Sequence, residues 1–251
     1  MMKKKIKNHL LIPYVTSGFP SKSLFIPILK ALSESNADYI EIGVPHSDPL
    51  ADGPLIQHSS KIALQNNVSL KWIVKTLKKE SCYRLKPLIL FSYLNPILSY
   101  GFEKLLKDLQ KPLFYGLIIP DLPLDEAEKY LPLFKKYNLN LILLAAPNTN
   151  KTRLKKIAKL SSGFIYLVSV TGTTGVRKNI AAGLKKKIKE LKSITKKPVC
   201  VGFGVSSPKQ VRGIISYGAD GVVLGSILVK KISSMRKTAI TSGLKRFINF
   251  F

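Results

Sequence analysis

Cysteine, histidine, acidic residues and long apolar runs are all scarce in this chain, and each shortage excludes something. The two cysteines, Cys82 and Cys200, lie far apart without ligand-type neighbours, so they read as reduced thiols rather than a disulfide framework. The three histidines, His9, His46 and His58, have no metal-ligand spacing, and no metal is assigned. No apolar run approaches the roughly 18 residues of a membrane-spanning helix. The basic start is followed by an apolar piece, 10–15, that contains Pro13 and lacks a small-residue cleavage site, which does not fit a secretory signal. A cytoplasmic protein is the expectation. There is no dinucleotide-type Gly-x-Gly-x-x-Gly in the first turn and no linker or composition break, so residues 1–251 read as one domain.

The shortage of acids is the most unusual feature. Fourteen Asp and Glu face 41 Lys and Arg, a net charge of +27. Such a field draws nucleic acid or an anionic surface without specificity, and it concentrates phosphorylated substrates. The lysines are spread along helical stretches among many Ile and Asn residues, as a compositional bias would leave them, and no nucleic-acid recognition motif accompanies them.

What the chain does have is alternation. Strand-like runs at 10–16, 39–42, 87–93, 116–119, 139–146, 164–170, 198–203 and 221–224 are each followed by a helical pattern. Helices are expected at 23–36, 69–84, 102–109, after Asp125-Glu126, at 151–160, at 181–193, from the Ser206-Ser207-Pro208 cap, and after Gly225-Ser226. A short amphipathic piece at 58–65 lies in the loop after the second strand. Eight strand-helix units in a chain of this length fit a (β/α)8 TIM barrel better than an open doubly wound sheet.

In such a barrel the site lies at the C-terminal ends of the strands. Glu41 falls there, on an otherwise apolar strand, where an unpaired carboxylate is costly to desolvate. Eleven residues on, Asp52 sits in a loop before Gly53-Pro54, and two such carboxylates suit acid/base chemistry. The plainer reading makes Glu41 a lysine partner and Asp48 and Asp52 turn residues. Gly202-Phe203-Gly204 and Gly225-Ser226, closing the seventh and eighth strands, suit a phosphate cradle of backbone N–H groups, with ordinary turns as the alternative. The Gly- and Thr-rich stretch 171–179 reads either as a closing loop over an anion or as a surface connection. Tyr166 reads as packing unless it points into the barrel.

The stretch Ile40-Glu41-Ile42-Gly43-Val44-Pro45-His46-Ser47-Asp48-Pro49-Leu50-Ala51-Asp52-Gly53-Pro54 resembles the signature of the tryptophan synthase alpha chain family. So do Pro13-Tyr14-Val15-Thr16-Ser17-Gly18, Tyr93-Leu94-Asn95-Pro96-Ile97, Pro120-Asp121-Leu122-Pro123, Val170-Thr171-Gly172-Thr173-Thr174-Gly175 and Gly202-Phe203-Gly204-Val205. The resemblance implies cleavage of indole-3-glycerol phosphate to indole and glyceraldehyde 3-phosphate, a retro-aldol reaction without a cofactor. It matches Glu41 to the family's acid/base residue, Asp52 to the carboxylate that holds the indole N–H, and Tyr166 to a tyrosine lining the pocket. Thr174, Phe203, Gly204, Gly225 and Ser226 match the loop clamp or phosphate cradle. It further implies an α2β2 assembly with a beta chain that carries pyridoxal phosphate, with Asp48 and the Asn95-Pro96 turn at contact positions.

Three departures stand out: the segment before the first strand is shorter than the family's leading helix, His46 stands where an aromatic such as Phe is usual, and the lysine excess is unlike most members of the family. Three rival readings remain: a decayed catalyst kept as an activating subunit, a nucleic-acid-binding barrel, and another phosphate-binding barrel enzyme of the same pathway.

Overall fold

A computed structural model describes residues 9–79, 84–109, 112–169, 177–202 and 204–251, with backbone alone for 177–182. Its strands are β1 (Leu10–Thr16), β2 (Ile40–Gly43), β3 (Leu88–Phe91), β4 (Phe114–Ile118), β5 (Asn140–Ile142), β6 (Leu144–Ala145), β7 (Ile165–Val168), β8 (Val199–Gly202) and β9 (Gly221–Leu224). They are short and rich in Val, Ile and Leu, and β2, β3, β8 and β9 are buried at every residue. That is the composition of parallel strands covered on both faces. All pairings are parallel, in the order β5-β4-β3-β2-β1-β9-β8-β7-β6.

The two ends of that order are halves of one strand. β5 pairs only with β4, through Gly116, Leu117 and Ile118, and β6 pairs only with β7, through Tyr166 and Leu167. The break at Leu143 changes partners and closes the ring. Ser161 makes it possible: its Oγ accepts from the Leu143 N–H at 3.1 Å and donates to the Phe164 carbonyl at 2.9 Å, while the Leu143 carbonyl accepts from the Tyr166 N–H. The expectation of an unbroken fifth strand over 139–146 is corrected accordingly. The eight-unit barrel stands.

Helices cover the outside. They include α1 (Phe25–Ser33), α2 (Pro54–Gln65), α3 (Leu70–Lys79), α4 (Leu94–Tyr100), α5 (Phe102–Asp108), α6 (Leu124–Lys136), α7 (Lys151–Leu160), α8 (Arg177–Ile194), α9 (Pro208–Ser216), α10 (Ser226–Ser233) and α11 (Ile240–Asn249). Four differ from expectation: α8 opens at Arg177, inside the stretch 171–179 read as a loop, rather than at 181, and three others depart as follows. Asn95-Pro96 lies inside α4 rather than in a turn; its proline occupies the first helical turn, where no intrahelical N–H bond is lost. The amphipathic piece at 58–65 extends back to Pro54, because Gly53 leaves the helix in an extended conformation and proline suits the first position. The end of the chain forms two helices, and α11 lies over α1, where the Asn36 N–H donates to the Asn249 side chain at 2.8 Å.

Candidate active site

Parallel pairing puts Tyr14 of β1 opposite Glu41 of β2, and Thr16 opposite Gly43. Residues paired in this way share a face, so Tyr14 and Glu41 both point into the barrel. Glu41 is 1% exposed, and its Oε2 has no hydrogen-bond partner among the described residues. Burial, and then the charge of Asp52, push its carboxyl up to about 8. No cation among the described residues offsets this, so Glu41 is not a lysine partner.

Asp52 lies in the loop between β2 and α2, partly buried. Burial raises its carboxyl to about 6, against a lowering contribution from the Tyr93 hydroxyl, which donates to Asp52 Oδ2 at 3.2 Å. Tyr93 Oη in turn accepts from the Ala51 N–H at 2.9 Å, which ties the Asp52 loop to the end of β3. Behind it, Asp121 Oδ1 accepts from the Leu94 N–H at 2.8 Å and anchors the first turn of α4. His46 stacks on Tyr93 with ring centroids 4.8 Å apart, so the imidazole does the packing expected of an aromatic there.

Tyr166 does point into the barrel, and its hydroxyl lies where a methyl on Gly202 would stand, 2.1 Å away. Tyr14 does the same over Gly43, with its Oη 2.1 Å from the position of a methyl there. Gly43 and Gly202 are therefore not merely strand-end turns; they clear space for two tyrosine rings that lean toward the C-terminal mouth. Burial, together with the charges of Glu41 and Asp52, raises both phenols well above their ordinary range. Both stay protonated at neutral pH.

At the far side of the mouth, Gly204 has φ +73°, a conformation that favours glycine, and is exposed. Gly225 precedes α10, and a methyl there would lie 4.0 Å from Tyr14 Cβ. The first turn of α10, from Ser226, thus opens beside the pocket that holds Glu41, and first-turn N–H groups have no intrahelical partner. Thr174 and Phe203, the other expected cradle positions, lie outside the described residues. Asp48, on the loop after β2, and Asn95, in the first turn of α4, are exposed, and Pro96 beside it is half-buried. Leu50 and Leu98, on the same two segments, are 84% and 51% exposed.

Reading the residues alone assigned no role to Tyr14 or Tyr93. Each stands inside a motif quoted above, and their position at strand ends was the available signal. Among the described residues no three metal-ligand side chains come together, and no helix is long and apolar enough to cross a membrane.

Two carboxyls with different proton affinities, one raised by the charge of the other, on strand-end segments near a helix N-terminus suit proton transfer on a phosphorylated substrate. Known proteins resemble this chain in sequence and fold. The family described as tryptophan synthase alpha chain matches residues 1–249. The tryptophan synthase alpha chain of Prochlorococcus marinus subsp. pastoris is 42% identical over 244 residues, covering 97% of this chain and 88% of that one. Tryptophan synthase subunit alpha from Campylobacter jejuni superposes with a TM-score of 0.85 at 33% identity, over 98% of this chain and 96% of that one. A chain of the tryptophan synthase complex from Pyrococcus furiosus gives 0.83 at 36% identity, over 97% and 98%. The chain belongs to the tryptophan synthase alpha chain family and is a lyase of tryptophan biosynthesis.

Proposed function

We propose that the chain cleaves indole-3-glycerol phosphate to indole and glyceraldehyde 3-phosphate, with Glu41 as proton shuttle and Asp52 as the group that holds the indole N–H. The observation that carries this reading is Glu41, buried with Oε2 unpartnered among the described residues, beside an Asp52 held by the Tyr93 hydroxyl, with burial pushing Glu41 up to about 8 and Asp52 to about 6. At pH 7 Glu41 holds a proton and Asp52 is ionised. Glu41 gives its proton to the ring carbon that bears the side chain, and the positive charge that develops on the ring nitrogen is met by the Asp52 carboxylate. The Glu41 carboxylate then takes the proton from the hydroxyl on the adjacent carbon. The carbon-carbon bond breaks, its electron pair returns to the ring, and the hydroxyl carbon becomes the aldehyde. Glu41 ends as it began, so no cofactor is consumed.

Tyr93 keeps Asp52 ionised, Tyr14 and Tyr166 shape the cavity, and Gly204, Gly225 and Ser226, with Thr174 and Phe203, hold the phosphate. Alpha chains of this family work with a beta chain. We take the assembly to be α2β2 in the cytoplasm, with pyridoxal phosphate on the beta chain, and Asp48, Asn95 and Pro96 at the contact. Exposed Leu50 and Leu98 beside them supply apolar area for such a partner.

The test is turnover of indole-3-glycerol phosphate by the purified chain, alone and with its beta chain, beside Glu41→Gln. The expected result is activity that rises with the partner and falls by about a hundredfold or more in the variant. A Glu41→Gln complex that keeps near wild-type turnover would falsify the assignment.

A further inference from the structure

The Tyr14 hydroxyl belongs to a chain of buried hydroxyls whose direction can be worked out. Tyr14 Oη lies 3.4 Å from Thr16 Oγ1, Thr16 Oγ1 lies 2.6 Å from Ser59 Oγ, and Ser59 Oγ donates to the Ile56 carbonyl at 2.8 Å. A hydroxyl has one proton to donate. Ser59 uses its own on a carbonyl that can only accept, so Thr16 donates to Ser59, and Tyr14 donates to Thr16. Running the chain the other way takes Ser59 off the Ile56 carbonyl and leaves the Tyr14 proton with no acceptor within hydrogen-bond distance among the described residues, one bond fewer. All three side chains are buried, where a lost bond is costly.

We propose that Thr16 and Ser59 are positioning residues that turn the Tyr14 proton away from the pocket, so that the Tyr14 oxygen presents its negative end to Glu41. Tyr14 and Glu41 are register partners on adjacent strands with side chains on the same face. An oxygen facing the carboxyl favours its protonated form, the form that must be ready to give a proton. The other titratable groups that act with Glu41 are Asp52 from the loop after β2, Tyr166 from β7 and Cys200 from β8. Of these, Asp52 also works against the carboxylate, whereas burial keeps Tyr166 and Cys200 neutral. The same hydroxyl chain pins α2, whose first turn follows directly on Asp52, to the end of β1.

The inference rests on Glu41 as the proton shuttle, so its test reads the proton and not turnover. The full chain, carrying 13C-labelled glutamate carboxyls with the Glu41 resonance assigned by its loss in Glu41→Gln, is titrated by NMR. Wild type should titrate highest. Tyr14→Phe, which removes the oxygen, should titrate lower. Thr16→Val, which removes the acceptor and frees the Tyr14 proton to turn toward Glu41, should titrate lowest, by about one unit or more from wild type. Thr16→Ser should stay close to wild type, and Tyr14→Phe/Thr16→Val should match Tyr14→Phe. A Thr16→Val chain that titrates at or above Tyr14→Phe overturns the proposal, and so does a double variant lower than Tyr14→Phe. If the titration order holds while Glu41→Gln still turns over, the hydroxyl chain survives and the shuttle reading fails.

Discussion

At the scale of single residues, this site depends on what glycine omits as much as on what the acids supply. Tyr14 occupies the volume of a missing side chain at Gly43, with Oη, Cζ and Cε2 all within 2.8 Å of where a methyl would stand. Gly43→Ala should therefore push the ring aside, cost about 1–3 kcal/mol and depress turnover. The check is a double-mutant cycle read by denaturant unfolding: in a Tyr14→Leu background the cost of Gly43→Ala should largely vanish. An unchanged cost would mean that the ring is not what Gly43 accommodates. Glu41 and Asp52 were legible from sequence because their signature is specific and a carboxylate on an apolar strand has few structural uses. Tyr14, Tyr93, Thr16 and Ser59 were not, because a hydroxyl residue acquires its role only from the partner that folding brings to it.

At the scale of elements, the barrel closes where one strand changes partners. Ser161 is one hydroxyl that satisfies both a donor and an acceptor at that break. Ser161→Ala leaves the buried Leu143 N–H without its partner, and the expected loss is about 1–3 kcal/mol in equilibrium unfolding, with activity per folded molecule retained. A loss within a few tenths of a kcal/mol would show that the strand break does not need the bond. Sequence periodicity could not reveal this break, since 139–146 is apolar but for Asn140 and reads as continuous. It also missed α4, where Tyr93-Leu94-Asn95-Pro96 carries the residues of a turn. That helix exists because proline fits its first turn and Asp121, from the next loop, accepts the Leu94 N–H.

At the scale of the whole molecule, a chain of net charge +27 keeps two acids away from its cations. Among the described residues seven acids hold lysines, from Glu34 with Lys245 to Asp220 with Lys192; most of these pairs are exposed and contribute little, Lys187 with Glu190 being more buried. Glu41 and Asp52 hold none among the described residues. The consequence for stability has a definite sign. Glu41 binds its proton more tightly when folded, at about 8, than when unfolded, near its ordinary 4.5. The folded state thus loses stability as pH rises between those values. Glu41→Gln, which cannot ionise, should be more stable than wild type by roughly 1–4 kcal/mol near pH 8, with little gain at pH 5, while losing activity. Thermal unfolding across pH 5–9 checks this, and a gain independent of pH would place its cause elsewhere than in the ionisation of Glu41.

Sequence by itself determined the architecture and singled out the two acids on which the proposed function rests. Eight apolar runs with helical patterns between them leave few ways to bury every strand on both faces, and local pattern carries that information. Only the tertiary structure decided which way the tyrosines point, why Gly43 and Gly202 are glycine, where the fifth strand breaks, and which hydroxyl holds which. Those facts depend on atoms from separate strands and loops meeting within about 3 Å of one another. Spacing along a chain does not encode such meetings until the barrel is closed.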